Sequence, residues 1–76
     1  MELRKFRRAF GLTQEELALQ AQVSRSLVSH VETGRVQPSG PFARRVCEVF
    51  ETRLGQPVRN WDVFPDAFEP PSVSLR

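Results

Sequence analysis

The chain's 76 residues suffice for one small domain and leave no room for a second, and a core of that size by itself gives only marginal stability. A composition of 39% hydrophobic and 26% charged residues is that of an ordinary globular chain and excludes a disordered polymer, and no apolar run approaches a membrane span. The net charge of +2 hides a segregation of sign: Arg4, Lys5, Arg7 and Arg8 stand against Glu2 alone, five arginines in residues 35–59 stand against Glu48 and Glu51, and the stretches between and after are acidic.

Leu3, Phe6 and Phe10 recur at spacings of three and four, which predicts an amphipathic helix over residues 2–10 with its basic side chains outside. Gly11 stops it. Thr13 then precedes Glu16 by three residues, a capping-box pattern, and Leu12 with Leu17 occupies the positions of a hydrophobic staple. A second helix is therefore expected from Gln14 to about Ala21. Only Gln22, Val23 and Ser24 separate it from the next start, where Ser24 is a good N-cap and Val23 with Val28 repeats the staple. The third helix, about residues 25 to 33, ends at Gly34. Two short helices joined by so short a turn make the pattern of a helix-turn-helix. Ser39 caps a fourth helix reaching about Leu54, with Pro41 in its first turn and Ala43, Val46, Cys47, Phe50 and Leu54 on its core face. Gly55 and Pro57 break that pattern, VRNWDVF reads as a short fifth helix ending before Pro65, and the proline-punctuated remainder reads as irregular.

No nucleophile with a base, paired carboxylates, phosphate loop or metal cluster stands in the sequence, so no enzyme, cofactor or metal site is expected. Cys47 is the single cysteine, supports neither a disulfide framework nor a zinc site within one chain, and reads as a small buried hydrophobe. His30 likewise has no Cys, His or carboxylate partner at ligand spacing.

The informative stretch is VSRSLVSHVETGR, residues 23–35. At about 100° per residue, Arg25, Ser26, Ser29, His30 and Thr33 share an arc of roughly 140° opposite Leu27, Val28 and Val31, with Glu32 at the border. A solvated face is the bland explanation of such an arc, but that face more usually carries Glu and Lys four residues apart. Short hydroxyls let a helix approach a base-pair floor closely, and Arg or His can bond base edges or phosphates. Ten arginines to one lysine suit bidentate contacts of that kind, and equally a GC-rich genome.

The run LRKFRRAFGLTQEELALQAQVSRSLVSHVETGRVQPS, residues 3–39, resembles the Cro and phage-repressor helix-turn-helix family, also called the XRE family. The resemblance implies an all-α, five-helix, lambda-repressor-like DNA-binding domain over residues 1–64, with residues 65–76 a C-terminal tail, irregular or dimer-forming. It implies base reading by Arg25, Ser26, Ser29 and His30, and phosphate binding by Gln14, Arg7, Arg35 and Ser39, with Glu32 paired to Arg7. Gln22 stands where the family commonly has glycine, so either it accepts a left-handed conformation at about 1 kcal/mol or the turn differs.

The expected function is that of a sequence-specific regulator, a repressor binding double-stranded DNA as a homodimer on a pseudo-palindromic operator and acting by promoter occlusion. Trp61, Phe64 and Phe68 are either its dimer surface or the cap of the monomer core, and Val73 and Leu75, alternating with serines, form either a strand across the dyad or a disordered tail. Glu15 and Glu16 read as solvated, with Glu15 also a candidate contact for RNA polymerase. The alternatives are an antitoxin that represses its own operon and holds a toxin through the C-terminal aromatics, and a protein-interaction module that keeps the fold without reading DNA. The basic N-terminus lacks the apolar stretch and cleavage site of a secretory signal, so a cytoplasmic, nucleoid-associated protein with no membrane contact is expected.

Overall fold

A computed structural model describes residues 2–70, which form the helices α1 (Glu2–Ala9), α2 (Gln14–Ala21), α3 (Arg25–Glu32), α4 (Gly40–Leu54) and α5 (Asn60–Val63). This is the all-α, five-helix arrangement with a helix-turn-helix that the caps and periodicities predict, each boundary within a residue or two. Val73 and Leu75 lie outside the described residues.

The short helices are delimited by side chains rather than by propensity. Thr13 Oγ1 accepts from the Glu16 amide at 3.0 Å while Glu16 Oε1 accepts from the Thr13 amide at 2.9 Å, so two otherwise orphaned donors are satisfied reciprocally. Ser24 Oγ accepts from the Leu27 amide at 3.0 Å and Ser39 Oγ from the Phe42 amide at 3.2 Å, starting α3 and α4 in the same way.

Between α2 and α3 the chain reverses through Gln22, whose φ of 60° and ψ of 44° place it in the left-handed region. The Val23 amide reaches back to Ala18 O at 3.0 Å and the Gln22 amide to Leu19 O at 3.3 Å, the two bonds of a Schellman cap. Of the two alternatives for this turn, Gln22 therefore takes the left-handed one, held by these bonds and by the packing of Val23 on the core. Gln22→Gly is expected to relieve about 1 kcal/mol of Cβ strain and raise the thermal midpoint by about 4–8 °C, read by circular dichroism. An unchanged or lower midpoint would show that the strain is outweighed by the chain entropy glycine adds to the unfolded state and by the lost bond from Arg45 Nη1 to Gln22 Oε1.

The core gathers around α4, which contributes Phe42, Ala43, Val46, Cys47, Val49 and Phe50. Leu3 of α1, Leu17, Ala18 and Ala21 of α2, and Val28 and Val31 of α3 close on them, with the Phe6 ring tilted against Phe50 at 5.4 Å and the Phe10 ring stacked on it at 5.3 Å. Leu54 departs from expectation. It is in phase with the core face, but it sits in the final turn, where the chain turns away through Gly55, and it is 45% exposed. Phe42 and Val49 are buried instead, because α5 and α2 cover α4 over a wider arc than one stripe.

Cys47 is fully buried, and burial pushes its thiol up to about 11, consistent with a packing role. The connection to α5 hangs on Glu51, whose carboxylate accepts from the Val58 amide at 2.8 Å and from Arg44 Nη2 at 2.6 Å. The Val58 amide, with Arg44, holds that carboxyl below its ordinary value.

Phe64 is 1% exposed within a single chain, its ring 6.1 Å from Phe42 and 6.4 Å from Phe68. It is a core residue and not part of a dimer surface, because α5 turns it inward onto α4. The Phe68 amide folds back to Phe64 O at 3.0 Å, leaving Phe68 and Trp61 half-buried.

Candidate nucleic-acid interface

The third helix is held by one ionic cluster. Glu32, with no side-chain exposure, accepts from Arg7 Nε at 2.6 Å and from Arg7 Nη2 at 3.1 Å, a bidentate pair joining α1 to the end of α3. Arg7 Nη1 also donates to Leu12 O at 2.8 Å, so the same guanidinium fastens the turn before α2. Gln14 Nε2 adds a third bond to Glu32 Oε1 at 3.0 Å, and Arg4 Nε approaches that oxygen to 3.5 Å. The family resemblance gives Arg7 two roles, pairing with Glu32 and lining the phosphate rim; only the pairing stands. Its side chain is 10% exposed and its bonds are directed inward, so it positions α3 instead of meeting a ligand.

With α3 fixed at that border, the arc that begins beside it is open. Arg25 and Ser26 are exposed, and Ser29 and His30 are half-buried. Together with Gln14 these four line a shallow surface depression; a second, lined by Thr13, Gln14, Glu15, Arg7 and Arg25, continues it across the start of α2. Among the described residues Arg25 takes part in no ion pair, so its charge is free to meet a ligand. Thr33 is withdrawn from the arc, because its hydroxyl donates to Ser29 O and His30 O at 3.1 and 3.2 Å.

The rim follows from the helix ends. Glu16 and Thr13 occupy each other's amides, so the capping box leaves the amides of Gln14 and Glu15 unused at the positive end of α2. Arg35 is exposed one residue after Gly34, where its own amide closes α3 on His30 O at 2.8 Å. Ser39 is exposed at the start of α4 with its hydroxyl used as the cap. The fold thus brings Gln14, Arg25, Ser26, Ser29 and His30 to one surface and places Arg35 and Ser39 in the loop and cap that follow α3.

A family model described as a helix-turn-helix domain matches residues 1–61. The chain belongs to the helix-turn-helix domain family. Two relatives from Archaeoglobus fulgidus, each named an uncharacterized HTH-type transcriptional regulator, are 38% and 35% identical to it over 52 residues. Each alignment covers 68% of this chain, and 74% and 73% of the relatives respectively. No solved structure matches. This helix-turn-helix domain is related to the XRE and Cro-like transcriptional regulators, a family of regulators and not of enzymes. Among the described residues no helix is long and apolar enough to cross a membrane, and no three His, Cys, Asp or Glu side chains gather as metal ligands.

Sequence reasoning misses two members of the cluster that positions the domain's third helix. Gln14 lies 18 residues from Glu32 and Arg4 lies 28 away, so no local pattern joins them. The one signal that points to Arg4 is that it and Arg7, three residues apart, share an edge of α1.

The cluster also makes the helix-turn-helix domain sensitive to acid. Burial by itself would raise the Glu32 carboxyl, but the bonds from Arg7, then Gln14, outweigh it and hold the group below the ordinary value of about 4.3. Because the folded value is the lower one, the contribution is complete above about pH 4.3 and is lost as pH falls through the folded value. Chemical denaturation at a series of pH values should show stability falling below about pH 4, and replacing the pair together, Arg7→Met with Glu32→Leu, which removes the carboxyl without stranding the guanidinium, should flatten that fall. An equally steep fall in the variant would assign it to other carboxylates.

Proposed function

We propose that the protein is a sequence-specific, double-stranded-DNA-binding repressor that places α3 in the major groove and acts as a homodimer on a pseudo-palindromic operator, occluding a promoter. The observation that carries this reading is the group Arg25, Ser26, Ser29 and His30 on one open face of a helix that is anchored through Glu32 at the border beside Arg25. Short hydroxyls beside one guanidinium and one imidazole allow close approach with two long readers, and Gln14, Arg35 and Ser39 flank them where the sugar-phosphate walls would lie.

One such helix reads only a few base pairs, which supports a two-fold assembly with half-sites about 34 Å apart. The half-buried Trp61 and Phe68 are the remaining candidates for its contact surface. The cytoplasm, where operator DNA lies, is the expected location.

Selection of bound duplexes from a random DNA pool tests the reading. An enriched inverted repeat is expected, with half-site centres about one helical turn apart. Enrichment of a single half-site would refute the dimer, and no salt-sensitive affinity for any duplex would refute DNA binding itself.

A further inference from the structure

We propose that Arg4 is a phosphate-contacting residue, forming with Gln14 a two-pronged clamp tethered to a single carboxylate oxygen; this rests on the DNA-binding reading above. Glu32 Oε1 is approached by Gln14 Nε2 at 3.0 Å and by Arg4 Nε at 3.5 Å, so the two side chains share one anchor. Glu32 carries one negative charge and faces two guanidiniums. Arg7 is buried, with bonds to both carboxylate oxygens and to Leu12 O. The surplus positive charge therefore resides on Arg4, whose side chain is 45% exposed.

Helical phase places that charge on the side proposed to face DNA. On α1, Arg4 lies about 60° from Arg7, on the edge turned toward Glu32. On α3, Glu32 lies about 20° from Arg25, and Arg25 shares its surface depressions with Gln14. Arg4, Gln14 and Arg25 thus follow one rim. Because Arg4 approaches Glu32 through Nε, its two terminal nitrogens stay available as a fork, the geometry that matches a phosphate. Lys5 provides the contrast: it lies about 100° further round α1, 3.7 Å from Glu2, away from the rim.

The test is a salt titration of binding to a mixed-sequence DNA duplex about two helical turns long, using the full chain. Arg4→Ala should lower the slope of log affinity against log salt by about 0.9, one phosphate contact, and weaken binding about eightfold near 0.1 M salt. Arg4→Lys should keep most of the slope and Lys5→Ala all of it. The thermal midpoint of Arg4→Ala should stay near that of the unaltered chain, because the Arg4 side chain is 45% exposed and its 3.5 Å approach to Glu32 is the longest in the cluster. An unchanged slope in Arg4→Ala, with or without a lowered midpoint, makes Arg4 a partner of Glu32 alone and overturns the assignment. Absence of binding by the unaltered chain overturns the DNA-binding reading, and the clamp with it.

Discussion

Replacing Glu32 with alanine is expected to unfold the protein at neutral pH and room temperature. The substitution strands the Arg7 guanidinium, which is 10% exposed, loses both of its bonds to the carboxylate, and cannot shed its charge by deprotonation. Breaking a buried pair by removing one partner costs about 3–5 kcal/mol, which is as much as a core of this size supplies. Urea unfolding followed by circular dichroism measures the effect. A variant within about 1 kcal/mol of the unaltered chain would mean that water reaches Arg7 freely and that the cluster is not the anchor of α3. Arg7→Met combined with Glu32→Leu should recover much of the loss, since apolar replacement of a whole buried pair is often neutral. That double variant also separates stability from recognition, because Gln14 and Arg4 would then lose their shared tether.

Arg25→Ala is expected to weaken binding to the selected operator by about 1–3 kcal/mol, roughly 5–150-fold, while binding to an unrelated duplex falls much less. Arg25 is exposed at the first turn of α3, beside Gln14 at one edge of the face that ends at His30. As a base reader it contributes to the difference between sequences; as a phosphate contact it would contribute equally to all. Titration of both duplexes at one salt concentration distinguishes these roles. An equal loss on the two would move Arg25 to the phosphate class and leave His30 as the principal reader.

Almost all of the helix boundaries are legible in the amino-acid sequence, and the reason is chemical. The devices that start and stop these short helices are local: Thr13 with Glu16, Ser24, Ser39 and Gly34 each act within four residues of themselves. The polar face of α3 is legible for the same reason, since phase on one helix needs no partner. Gln22 is legible only as a choice, because a lone glutamine states neither its φ nor the bonds that compensate it.

Other features depend on which helices meet and how far they overlap. Leu54 has the right phase for the core and is exposed, while Phe42 and Val49 lie off the expected stripe and are buried, because coverage of α4 is set by α2 and α5. Phe64 fits a dimer surface or a monomer core equally well by its sequence position, and the turn of α5 onto Phe42 decides for the core. Arg7 is, by sequence, one basic residue among four in its helix; burial beside Glu32 removes it from the DNA rim, and Arg4 gains its candidate role at the same step. Caps and faces are therefore written in the chain, because hydrogen bonds and helical phase act over a few residues. Burial, and with it the division of the arginines between core and surface, depends on contacts between residues 18 to 28 positions apart, and only packing decides those.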